Sequence, residues 1–114
     1  MNSPEKRSAP SFTNGVPLLL ILKLLAQKEM YGYEIVKSIH QATGEALSFP
    51  EGSIYPVLHS MELDGLVKNA ERTVQGRKRL YYSLSTRGRN KLESLTTEWR
   101  KVSSGVNLAL GWGA

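Results

Sequence analysis

Apolar positions recur along this chain at more than one period, and each change of period marks an element. Residues 1–12 hold Ser, Pro and Lys with almost nothing to bury, which predicts a disordered arm. From about Gly15 to Gln27 the leucine-rich run leaves hardly any polar face. That predicts a helix buried from several sides, with Pro17 tolerated in its first turn. A second helix is predicted over about Gly32–Thr43, with Ile35, Val36, Ile39 and Ala42 as its inner stripe and Gly44 as its stop. Turn-forming residues from Leu47 to Gly52 lead into a third helix, which starts between Glu51 and Ile54 and ends at Gly65. Its inner face is Ile54, Leu58 and Met61, and its outer face is Ser53, Tyr55, His59 and Glu62. Pro56 fits there as a first-turn residue.

The period then drops to two. Leu66–Arg72 and Arg79–Ser85 read as strands, the second alternating Leu80, Tyr82 and Leu84 with Tyr81 and Ser83. Thr73–Lys78 between them reads as a hairpin tip in which Gly76 supplies a permissive backbone. Thr86 is then predicted to cap a long helix reaching about Leu110. Along it Leu92, Leu95, Trp99, Val102, Val106 and Ala109 are spaced 3, 4, 3, 4 and 3, a heptad seam. The seam predicts a homodimer paired through residues 86–110, with Leu92, Leu95, Trp99, Val102 and Val106 in the interface. Three helices, a hairpin and a seam helix give a mainly α fold with a small β-hairpin. This is the order of a winged helix-turn-helix (residues 13–85) followed by a long C-terminal dimerisation helix (86–110) and a tail (111–114).

Charge sharpens that picture. The 114 residues carry 15 Lys and Arg against 10 Asp and Glu, a formal +5. The window from Lys68 to Lys91 holds eight bases and one acid, so it carries +7 and the remainder is mildly acidic. A solvated charged face gives such a window its plain explanation, and an electrostatic footprint for a polyanion gives the sharper one. No cysteine is present, which removes disulfide scaffolds, zinc fingers, iron–sulfur sites and thiol nucleophiles and fits a cytoplasmic protein. The one aspartate and two histidines (His40 and His59, on different helices) leave little room for a catalytic triad or a metal site. No enzyme activity, metal or cofactor is expected. The longest apolar run, Val16–Ala26, is too short for a bilayer span.

Five blocks carry a family resemblance. Tyr31-Gly32-Tyr33-Glu34-Ile35, Gly52-Ser53-Ile54-Tyr55-Pro56-Val57-Leu58, and Glu62-Leu63-Asp64-Gly65-Leu66-Val67 resemble the PadR family of bacterial transcriptional regulators. Gly76-Arg77-Lys78-Arg79-Leu80-Tyr81-Tyr82-Ser83-Leu84-Ser85 and then Gly88 continue the match, which covers about residues 15–102. With one helix after the wing, the pattern resembles the short subfamily rather than the one with an extended helical C-terminal domain. The resemblance implies a homodimeric winged-helix repressor on double-stranded operator DNA, relieved by a small aromatic or drug-like effector.

Candidate DNA-binding residues follow. Ser53, Tyr55, Pro56 and His59 stand on or beside the outer face of the third helix. That helix offers no Arg or Asn for a bidentate base contact, so direct readout is limited and shape carries part of the specificity. Gly76, Arg77, Lys78 and Arg79 form the wing tip, where three consecutive cations suit phosphate; Arg79 ranks below the other two because it can belong to the strand. Tyr31 and Tyr33 approach the phosphate backbone by the resemblance, and either can equally plug the core; Lys37 lies one turn on. Trp99 packs the seam or forms a shelf for a planar ligand, lined also by Leu18, Leu22, Leu95 and Val102. The competing function is a winged-helix protein-interaction module without sequence-specific DNA binding.

Overall fold

The structure is a computed structural model that describes residues 15–112; the arm expected at 1–12 and the end of the tail lie outside the described residues. Seven elements follow in order: α1 (Val16–Gln27), β1 (Met30–Tyr31), α2 (Gly32–Ala42), α3 (Glu51–Leu63), β2 (Val67–Val74), β3 (Arg77–Leu84) and α4 (Thr86–Leu110). The strands form one antiparallel sheet in the order β1–β3–β2. A mainly α chain with a small sheet and a long last helix is the fold class expected.

The core explains the helices. Ile21, Leu22, Leu24 and Leu25 of α1, Ile35 and Ile39 of α2, and Ile54, Leu58 and Met61 of α3 are buried together with Met30, Leu66, Val67 and Tyr82. Each set recurs at three or four residues, so one stripe per helix meets at the centre. Ala42, expected in the α2 stripe, is exposed at the helix end. After α2 the Thr43 hydroxyl donates to the Ile39 carbonyl (2.8 Å) and accepts the Leu47 N–H (3.1 Å), which turns the chain into α3.

Helix α3 begins at Glu51, so Pro56 lies in its second turn and not the first. Proline has no N–H to give the Gly52 carbonyl, and the helix tolerates the loss because Gly52 and Pro56 are both exposed to water. Its end is secured by Gly65 at φ 75°, with the Leu66 N–H reaching the Met61 carbonyl (2.9 Å) and the Gly65 N–H the Glu62 carbonyl (3.0 Å).

Three details of the sheet differ from the expectation. The strands run to Val74 and from Arg77, so the tip is a two-residue turn in place of the six-residue loop. Gln75 and Gly76 both take positive φ (54° and 78°), the turn whose twist matches that of paired strands. Arg77, Lys78 and Arg79 therefore stand on β3, where successive side chains face opposite ways. The third strand, β1, pairs Met30 with Tyr82 and Tyr31 with Tyr81. Leu80 is already 42 % exposed, so the hairpin projects beyond the core from there outward.

The cap of α4 is Ser85 and not Thr86. Its Oγ accepts the Gly88 N–H at 3.0 Å and lies 2.9 Å from the Leu66 carbonyl, which also accepts the Ser85 N–H at 3.0 Å. Gly88 is buried against that junction, and a Cβ there would overlap the Leu66 carbonyl oxygen and the Leu84 side chain. Gly88→Ala is expected to destabilise the protein by about 1–3 kcal/mol through overpacking. Gly105→Ala on the same helix meets nothing within 4 Å and is expected to stabilise by about 0.5–1 kcal/mol. Urea-denaturation midpoints shifted in opposite directions are the check.

Candidate nucleic-acid interface

The inner side of α3 is locked into the core by Ile54, Leu58 and Met61, which turns Ser53, Tyr55, Pro56 and His59 to solvent. Ser53 spends its hydroxyl locally, donating to the Pro50 carbonyl at 2.9 Å in the first turn. Tyr55 leans across to α2: its ring and hydroxyl fill the space where a side chain on Gly32 would go, so Gly32 is required there for packing. The Tyr55 hydroxyl donates to the Glu51 carboxylate at 3.4 Å. Partial burial raises its pKa above the usual tyrosine value, and the negative charge and hydrogen bond of Glu51 add to the shift. Glu51 thus shares the outer face of α3, although its place in the sequence suggests no more than a helix start, and this helix bears no Lys or Arg.

The two tyrosines at the entrance of α2 separate. Tyr33 is exposed, with the Lys37 ammonium 5.7 Å from its ring centroid, so these two make one outward-facing pair. Tyr31 is half-buried on the sheet, edge-on to Tyr81 with ring centroids 5.5 Å apart. Neither is a core plug. The Arg79 guanidinium lies 4.1 Å from the Tyr31 centroid and Arg72 lies 5.0 Å from that of Tyr81. Arg72 is also ion-paired to Glu29. Gly76, Arg77 and Lys78 are exposed at the tip. Strand alternation puts Arg77 with Arg79 and Tyr81 on one face of the hairpin, and Lys78 on the face of Leu80 and Tyr82. Sequence reasoning missed Glu29, Arg72 and Tyr81; the same alternation, extended beyond the inward residues of β3, would have placed Tyr81 beside Arg79.

Trp99, Val102, Val106 and Leu110 run along α4 at 48–56 % exposure, a continuous apolar stripe. Leu92 and Leu95, the first two seam residues, are partly buried and pack against the core of their own chain. An apolar hollow of about 220 Å³ opens where the two halves meet, lined by Val16 and Leu19 of α1 and Leu95, Glu98, Trp99 and Val102 of α4. Two residues expected there are elsewhere. Leu22 is wholly buried in the core, and Leu18 lines a different groove with Val57 and Met61 of α3. Val16 and Leu19 take their place because they lie one helical turn apart on the α1 face turned to α4. Among the described residues no group of three His, Asp or Glu could hold a metal ion, and no helix is long and apolar enough to cross a membrane.

The sequence pattern of the transcriptional regulator PadR-like family matches residues 21–94. A transcriptional regulator of Mycobacterium tuberculosis is 31 % identical over 100 residues, covering 88 % of each chain. Two solved structures are similar in fold and sequence. A PadR family transcription regulator of Clostridium difficile is 33 % identical, covers 84 % of this chain and 99 % of its own, and has a TM-score of 0.75. A PadR-like transcriptional regulator of Bacillus cereus is 34 % identical, covers 88 % and 96 %, and also has a TM-score of 0.75. These relatives are transcriptional regulators and not enzymes.

Proposed function

The chain belongs to the PadR-like family of transcriptional regulators, and on that premise we propose that two copies pair through α4 and the start of α1 to grip one duplex. The observation that carries the DNA reading is α3. Its apolar side is anchored in the core, and its outer side presents Ser53, Tyr55, Pro56 and His59 beside a projecting hairpin tipped with Arg77 and Lys78. A helix held this way fits the major groove, and the tip then reaches phosphate. Tyr33 and Lys37 add an outward pair on α2 suited to the backbone. A two-fold pair of such heads matches half-sites about one helical turn apart, roughly 34–36 Å.

The pairing rests on the α4 stripe, since a contiguous apolar strip from Trp99 to Leu110 marks an interface. The protein acts as a repressor in this reading, and a small planar aromatic or drug-like compound in the hollow beside Trp99 releases it. Binding there changes the angle between the heads and so their spacing. The hollow is apolar on most sides, with Glu98 as its charged member, which favours a flat cation that stacks on indole.

Three outcomes test this. Light scattering on the unmodified protein is expected to give twice the 12.7 kDa of one chain. Val102→Glu is expected to give the mass of one chain, because a charge buried without a partner is costly; a single-chain mass for the unmodified protein at micromolar concentration overturns the pairing. Arg77→Ala with Lys78→Ala is expected to weaken binding to specific and random duplexes alike and to flatten the log–log salt slope by about 0.9 for each phosphate no longer neutralised. An unchanged slope removes the tip from the interface. In a Trp112→Phe background, Trp99 emission is expected to respond to planar aromatic cations; indifference to every such compound by an intact dimer leaves Trp99 a packing residue.

A further inference from the structure

We propose that Tyr31 and Arg79 position the wing and do not touch DNA, as the centre of a stack that locks the hairpin to the entrance of α2. This rests on the reading of α3 and the hairpin tip as the DNA-contacting surfaces, and it reassigns two residues that sequence alone places among the contacts.

The stack runs across all three strands. Arg79 of β3 lies over Tyr31 of β1 at 4.1 Å, and Tyr31 meets Tyr81 of β3 edge-on at 5.5 Å with an interplanar angle of 67°. Arg72 of β2 covers Tyr81 at 5.0 Å and is ion-paired to Glu29, just before β1. Backbone pairing alone holds β1 weakly, since that strand is two residues long and has two registered partners. The stacked side chains supply the grip that so short a strand lacks.

What this grip controls follows from the neighbours of Tyr31. It is the residue before the first turn of α2, and Gly32, next to it, receives the Tyr55 ring of α3. Hairpin, Tyr31, Gly32 and Tyr55 therefore form one continuous series of contacts from the wing to the outer face of α3. That series is a second tie between wing and reading helix, beside the direct passage of α3 into β2 where the Asn69 side chain meets Glu62. The stack also divides the cations. Arg72 and Arg79 are each engaged on the sheet face, while Arg77 and Lys78 stay exposed at the tip. The Tyr31 ring covers one face of the Arg79 guanidinium at 4.1 Å and so fixes where its N–H groups point.

Four variants of the full chain decide the matter: Tyr31→Phe, Tyr31→Leu, Arg79→Gln and Arg79→Lys. Each is titrated by fluorescence anisotropy against a labelled duplex of mixed sequence over a range of salt, and the hairpin amides are followed by hydrogen exchange. Tyr31→Phe keeps the ring and is expected to match the unmodified protein in both. The other three are expected to bind about threefold to fivefold more weakly, with the salt slope unchanged and hairpin exchange accelerated. Lysine cannot rescue Arg79, because an ammonium does not stack as a planar guanidinium does. Contact roles give the opposite pattern: Arg79→Lys retains affinity, Arg79→Gln flattens the slope by about 0.9 for its phosphate, and Tyr31→Phe loses affinity with its hydroxyl. That pattern overturns the proposal, as does normal hairpin exchange in both Tyr31→Leu and Arg79→Lys. If the unmodified protein shows no salt-dependent affinity for duplex DNA, the DNA reading fails and the positioning proposal, which rests on it, falls too. Hairpin exchange then still reports whether the stack holds the hairpin.

Discussion

The carbonyl oxygen of Leu66 ties the two working ends of the molecule together. It accepts the Ser85 N–H at 3.0 Å, lies 2.9 Å from the Ser85 hydroxyl, and is covered by the bare backbone of Gly88. Leu66 sits between α3 and β2, and Ser85 opens α4. The exit of one helix and the start of another therefore meet at two neighbouring carbonyls, the Ser85 hydroxyl also lying 2.6 Å from that of Gly65. Each bond contributes only about 0.5–1.5 kcal/mol net. Its geometric effect is larger. Helix α4 has 25 residues and extends roughly 37 Å at 1.5 Å per residue, so a small tilt at Leu66 becomes a displacement of several ångströms at its far end. The absence of a side chain at Gly88 lets the α4 backbone approach the Leu66 carbonyl and the Leu84 side chain closely.

Charge is divided between elements that do different things. Helix α3 carries Glu51 and Glu62 and no Lys or Arg, so its own field repels phosphate. The exposed cations stand elsewhere, at the tip of the hairpin and at Lys37 on α2, and in the proposed reading the attraction comes from them. Because screening in physiological salt acts over about 8 Å, these sources work locally on the strand of duplex each approaches. The outer face of α3 is left to shape, hydroxyls and the two carboxylates of Glu51 and Glu62. Alternation on β3 performs a second division, since Arg79 is drawn to Tyr31 on one face while Lys78 is turned to the other.

Most of this was legible in the sequence. The positions of α2 and α3 came through because each repeats its buried residues at three or four, as Ile54, Leu58 and Met61 do. The inward stripe of β3 was legible only at Tyr82 and Leu84, since Leu80 already lies past the core. What failed to come through has particular causes. Strand β1 is two residues long and is defined by its partner Tyr81–Tyr82, so it has no period of its own. Gln75 takes a left-handed backbone because the two-residue turn demands it, and glutamine is no signal for that. Ser85 and Thr86 are both good caps; the choice is made by Leu66, a residue far away in sequence. In α1 almost every position is apolar, so the pattern cannot say that Leu22 faces the core while Leu19 faces α4.

Helix α4 carries one apolar stripe that serves the chain's own core and, under the proposed pairing, a second. The hollow lies where the first ends. Leu92 and Leu95 belong to the chain's own core, and from Trp99 onward the same stripe has no partner within the chain. Apolar surface left in water costs about 25 cal/mol per Å², so a second copy covering Trp99 to Leu110 recovers what a core of this size cannot. At the changeover neither core determines the packing fully: Val16 and Leu19 come from the beginning of α1, and Trp99 is the largest side chain present. In the proposed function the compound sits at this changeover, where one subunit rests on the other under the proposed pairing. Under the proposed reading a change in α4 reaches α3 through the junction at Leu66, where Ser85 and the backbone of Gly88 meet its carbonyl. The proposed release therefore needs a stiff junction at Leu66 as much as it needs the hollow: a loose junction would absorb the motion.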